Sequence, residues 1–178
     1  MNCRKAGDGA NSACRPCDLR GNMRQQNQEH TGNAVELVIT FGGILYHQVN
    51  RQRKAGKGIA GQIAWACPAW RSAFTLRSGK LGDTWLWSAI ASNGKPMWIA
   101  SAYSQDGYGY NQVHTDYGAF RLCLLDLNRQ REQDPRLKRA PLFMPYGIGC
   151  GLGGGDWSTI ANLIQRYTPD AILVKLPA

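Results

Sequence analysis

Along the chain, a segment almost without apolar side chains gives way near Val35 to apolar runs alternating with polar, glycine-bearing stretches. Residues 1–33 contain no Val, Ile, Phe, Tyr or Trp and a single Leu. That is too little apolar surface to offset the entropy of ordering a chain. A disordered basic tail is expected there, followed by one folded domain over 34–178. "VELVITF" (35–41) and "GILYHQVN" (43–50) read as strands on their β-branched and aromatic content. "RQRKAGKG" (51–58) reads as a loop. Ile59, Ile63 and Ala66 then share one helical face, and Pro68 either ends that helix or opens a continuation.

Further on, "DTWLWSAI" and "PMWIASAY" flank Asn93-Gly94, a pair that favours the turn of a β-hairpin. The tryptophans at 85, 87 and 98 in these runs read as core. Tyr117, Phe120, Leu124 and Leu127 recur at helical spacing, with Thr115 or Asp116 as N-cap. "APLFMPYGI" reads as a strand, 156–167 as a helix and "AILVKLP" as a closing strand. The last two strands are apolar enough for burial on both faces. The expected fold class is α/β, a three-layer α/β/α sandwich around a central mixed sheet.

One stretch departs from ordinary patterning. "GIGCGLGGG" places six glycines in the nine residues 147–155, between a strand and a helix. Glycine is costly to order and is spent where a backbone must turn sharply or approach something closely. A strand, a glycine loop and a helix N-terminus together make an anion site, because amides converge on it and the helix dipole adds partial positive charge. Gly149, Gly151 and Gly154 match G-x-G-x-x-G, but the dinucleotide fold needs that loop after its first strand and an acidic residue about 20 positions on. No acidic residue follows Asp170. "GKG" at 56–58 likewise lacks the Ser or Thr of a P-loop.

The formal charge of +9 over 178 residues favours anionic partners without choosing among them. No segment has the apolar length to span a bilayer, so no membrane partner is expected. The start has no secretory pattern, and a cytoplasmic, thiol-reducing setting is expected for the six cysteines. Cys14 and Cys17, with Cys3 and His30, offer a loose zinc set; the tail reading is preferred to it, and no metal is expected.

"VNRQRKAGKGIAGQIAWACP" together with "MPYGIGCGLGGGDWSTI" resembles the macro domain, the ADP-ribose-binding fold. The likeness is strongest to the branch of terminal ADP-ribose glycohydrolases, phage-type macro domains and the antitoxin that reverses DNA ADP-ribosylation. It runs from about residue 35 onward. By position it implies that Asn50 reaches the distal ribose and that Gly56, Lys57, Gly58, Ile59 and Ala60 form a first ligand loop. Ile148, Gly149, Cys150, Gly151, Leu152, Gly153 and Gly154 would form the second. "SQDGYGYNQVHTDY" (104–117) is similar to the variable loop beside the ligand. The partner implied is ADP-ribose or an ADP-ribosylated macromolecule, held by a monomer without a cofactor.

Hydrolysis of ADP-ribose derivatives is the activity the resemblance implies: release of ADP-ribose from protein or nucleic acid, or processing of ADP-ribose 1''-phosphate. Two alternatives stand beside it, a non-catalytic ADP-ribose reader and a nucleic-acid-binding domain using the tail with Arg51, Arg53, Lys54 and Lys57. The glycohydrolases carry an aspartate after the Gly-Cys-Gly-Leu run, where this chain has Gly153. Their lysine nucleophile would fall in 82–100, where only Lys95 stands, in the expected hairpin turn. Lys57, His114 and Asp106 remain as catalytic candidates, with Asp116 as another potential base. Cys150 and His47 read as packing residues.

Overall fold

The computed structural model describes residues 29–52 and 55–175. Most of the expected tail, and the zinc set except His30, lie outside the described residues. Twelve elements run β1 (Glu29–Thr31), α1 (Ala34–Phe41), β2 (Gly43–Asn50), α2 (Gly58–Ala66), α3 (Pro68–Leu76), β3 (Thr84–Ile90), β4 (Pro96–Gln105), α4 (Tyr117–Gln133), α5 (Pro135–Arg139), β5 (Leu142–Pro145), α6 (Trp157–Tyr167) and β6 (Ile172–Lys175). The strands form one sheet in the order β1-β6-β5-β2-β4-β3. All neighbours pair parallel except β3, which returns antiparallel on β4.

Alternation along the central strand builds both cores. Ile44 and Tyr46 of β2 point into a cluster with Phe120, Leu124 and Leu127 of α4 and Ile160 and Ile164 of α6. Leu45 and Val49 point the other way, onto Val35 and Val38 of α1, Ile63 of α2 and Trp70 and Phe74 of α3. Side chains of a strand alternate between faces, so a sheet covered on both sides needs apolar residues at nearly every position. The result is the three-layer α/β/α sandwich around a mixed sheet. Trp98 lies in the first core, and Trp85 and Trp87 pack against the second.

Two expectations are corrected. "VELVITF" is helix α1, not a strand. Asn33 Oδ1 accepts hydrogen bonds from the amides of Val35 and Glu36, and Val35 and Val38, three residues apart, share the buried face. Capping and packing override the β-branched composition. Residues 29–31, expected to be tail, pair with β6 as a parallel edge strand, and the Gly32 amide extends the pairing to the Lys175 carbonyl at 2.8 Å. Backbone bonds recruit a segment that has no apolar side chain to bury.

Candidate ligand-binding site

At the carboxyl ends of β2, β4, β5 and β6 the sheet opens into a cavity of about 760 Å³, the usual place for ligands in open α/β sheets. Two loops form its sides. The first follows β2 and enters α2 at Gly58, whose φ of +58° suits glycine. The second is the glycine loop between β5 and α6.

The entrance to α2 differs from the other helix starts. α1, α4, α5 and α6 are capped by the side chains of Asn33, Asp116, Asp134 and Asp156. The N-cap of α2 is Lys57; its side chain makes no capping bond and the first turn has no acid. The first amides of a helix have no intrahelical acceptor. Those of Gly58, Ile59 and Ala60 therefore meet the cavity uncapped, with the helix dipole behind them. α3 also lacks a side-chain cap, but proline occupies its first turn.

The glycines of the second loop divide by what a side chain there would meet. At Gly151 and Gly147, as at Gly56 and Gly58 of the first loop, a Cβ atom would find nothing within 4 Å. These positions border the cavity. The others are closed off by protein. A Cβ at Gly149 would lie 2.7 Å from Gln48 Oε1, and at Gly153 it would lie 2.5 Å from both the Gly149 carbonyl and Thr115 Oγ1. A Cβ at Gly154 would lie 3.0 Å from the Gln112 carbonyl, and one at Gly155 would lie 3.0 Å from the Gly149 carbonyl and 3.2 Å from Thr115 Cβ. Four of the loop's six glycines thus have their Cβ direction filled by protein, largely the segment before α4, and in two, Gly147 and Gly151, it is open.

That segment is stitched to the loop. The amides of His114 and Thr115 donate to the Gly153 carbonyl at 2.8 and 3.0 Å, and the Gly109 amide donates to Leu152 at 3.0 Å. Tyr108 is thereby brought to the cavity wall. At the opposite end stand Asn33, Gln62 and Lys175, with Tyr146 held between the Trp157 ring (4.6 Å between centroids) and the Lys175 ammonium, 5.2 Å from its own centroid. Behind the wall His47 is buried, its Nε2 2.9 Å from Ser101 Oγ. Burial lowers its pKa from 6.5 to about 3, so the imidazole is neutral.

Solved structures of the same architecture include the macrodomain of Mycobacterium tuberculosis DarG, with a TM-score of 0.62 and 21% identity over 85% of this chain and 99% of that one. Thermosipho africanus DarTG in complex with ADP-ribose superposes with a TM-score of 0.67 and 18% identity, over 86% of this chain and 43% of that one. The chain has the macrodomain fold. In sequence it is 29% identical over 137 residues to an uncharacterised 17.5 kDa protein of Enterobacteria phage T4, spanning 75% of this chain and 86% of the phage protein. No protein-family model matches. Among the described residues no helix is long and apolar enough to cross a membrane.

In this macrodomain fold the expected ligand-contacting residues converge on the cavity, except Cys150 and Gly154, which do not line it. The Cys150 thiol points to the Ile148 carbonyl at 3.7 Å, and burial, then the Asp156 charge, push its pKa up. That is the reverse of an activated nucleophile. Of the catalytic candidates, Lys57 lines the cavity, exposed at the α2 N-cap. Asp106 is instead 71% exposed and pairs with Arg51 at 3.5 Å, and His114 contacts Gln112; neither lines the cavity. Asp116 is occupied as the cap of α4. Lys95 precedes β4 at the other end of the sheet. The residues missed in the sequence are carboxamides and aromatics: Gln48, Gln62, Gln105, Tyr108 and Tyr146. Gln105 closes β4 but lies within the stretch 104–117 that reads as a loop, and the others depend on tertiary approach.

Proposed function

We propose that the cavity binds ADP-ribose and that ADP-ribosyl derivatives are the substrates. The observation that carries this reading is the uncapped N-terminus of α2, which lines the same cavity as the open glycines Gly147 and Gly151, a space of nucleotide-sugar size. A diphosphate between the two loops would take up amides that no side chain satisfies. Asn50 would then lie towards the distal ribose, with 56–60, Ile148, Gly149 and 151–153 around the diphosphate. The ADP-ribose complex of a protein with this fold supports the ligand's identity.

No carboxylate is among the described residues lining the cavity. Cleavage at the distal ribose would therefore use a water oriented by the ligand's own phosphate and by backbone donors, with Lys57 adding positive charge at the rim. The same observation favours a second reading, a reader that binds ADP-ribose without turnover. Incubating the protein with ADP-ribosylated protein, ADP-ribosylated oligonucleotide and ADP-ribose 1''-phosphate separates them. Release by the wild type, lost in Gly151→Glu, supports hydrolysis. Binding of ADP-ribose without release at stoichiometric protein leaves the reader. Absence of ADP-ribose binding overturns both.

A further inference from the structure

β2 and β4 run in step from Gly43 opposite Met97 to Val49 opposite Tyr103, and then the register shifts so that Asn50 comes opposite Gln105 rather than Ser104. Such a bulge bends the strand and re-aims the residue after it. Here it sets two carboxamide residues side by side at the carboxyl end of the sheet, each 8% exposed and each lining the cavity. The backbone of Gln105 is pinned on both sides. Its carbonyl accepts from the Arg51 amide at 3.2 Å, and it forms an isolated antiparallel bridge with Thr115. Gly153 wraps its side chain so closely that a Cβ there would lie 2.8 Å from Gln105 Nε2.

We propose that Gln105, beside Asn50, recognises the terminal ribose of the bound nucleotide sugar, an inference that rests on the ADP-ribose reading of the cavity. A carboxamide both donates and accepts, as do the vicinal hydroxyls of a sugar, and a charged terminal group gains no ion pair from it. The strand shift sets its backbone, and the close approach of Gly153 with a long, 3.5 Å hydrogen bond from Nε2 to the Gly107 carbonyl confines its side chain before any ligand arrives. Little ordering cost therefore falls on binding. Gln105 acts here as a specificity residue for the sugar, while the two loops hold the diphosphate.

Calorimetric titration of the full chain with ADP-ribose and with ADP, which lacks the terminal ribose, tests this. The wild type is expected to bind ADP-ribose the tighter of the two. Gln105→Ala is expected to lower that preference about tenfold, the worth of one or two lost hydrogen bonds, with ADP affinity unchanged. Gln105→Met, which keeps the side-chain volume against Gly153, is expected to behave in the same way. An unchanged preference in a folded Gln105→Met protein would overturn the assignment, as would a wild type that binds both ligands equally. A wild type that binds neither overturns the ADP-ribose reading itself.

Discussion

Thr115 Oγ1 donates a 2.9 Å hydrogen bond to the Gly149 carbonyl, joining segments 34 residues apart. With the two amides that donate to Gly153 it fastens the stretch before α4 to the glycine loop, so the cavity wall bearing Tyr108 is held by the loop itself. Thr115→Val removes this bond and the longer one that Oγ1 accepts from Gln48 Nε2 at 3.3 Å, at nearly constant shape. Gln48 Nε2 keeps the Ser104 carbonyl at 3.0 Å. The Gly149 carbonyl keeps the Gly155 amide at 2.8 Å, so the expected cost is about 1 kcal/mol in urea unfolding. Amide exchange is expected to quicken at 107–114 and to stay unchanged in α6.

Gly149 and Gly151 should respond oppositely to the same substitution. Gly149 has a φ of +78° and no room for a Cβ. Left-handed strain and overpacking together put Gly149→Ala at about 2–4 kcal/mol. Gly151 has neither constraint, and Gly151→Ala is expected within about 0.5 kcal/mol of the wild type. Equal midpoints for the two variants in chemical denaturation would show that the division of the loop is wrong.

At Gly153, where the glycohydrolases place their aspartate, the nearest protein atoms leave no space. Gly153→Asp would press its Cβ onto the Gly149 carbonyl, Thr115 Oγ1 and Gln105 Nε2 before the carboxylate is placed at all. It should therefore destabilise the fold by about 2 kcal/mol or more without conferring hydrolysis. A stable Gly153→Asp protein with gained turnover would contradict this.

The legible parts of the fold were those fixed by local pattern. The apolar, aromatic-bearing run of β2, the Asn93-Gly94 hairpin, the Asp116 cap and the helical spacing of α4 all depend on neighbours in sequence. α1 was misread because Val, Ile and Thr in 35–41 favour strands in isolation, and only burial of Val35 and Val38 under Asn33 makes them helical. β1 has no pattern at all; its pairing with β6 is a backbone matter. In the site, the glycine runs marked both loops, but which glycines face the ligand depends on Thr115, Gln105 and Gln48, residues remote in sequence.

His47 gives the fold a pH dependence of known sign. Its folded pKa of about 3 lies below the ordinary 6.5, so its contribution is fully present above pH 6.5 and is lost progressively as pH falls towards 3. Between pH 7.5 and 5.5 the wild type should lose about 1.4 kcal/mol more than His47→Gln, whose side chain does not titrate. Identical pH profiles for the two proteins would mean that the imidazole is not held neutral.

Most direct is an ¹⁵N-resolved NMR titration of the full chain with ADP-ribose. Saturable shifts should appear at the amides of 56–60 and 147–153, with Gly151→Glu folded but unresponsive. Amides of both loops left unmoved at millimolar ligand would contradict a diphosphate bound between them.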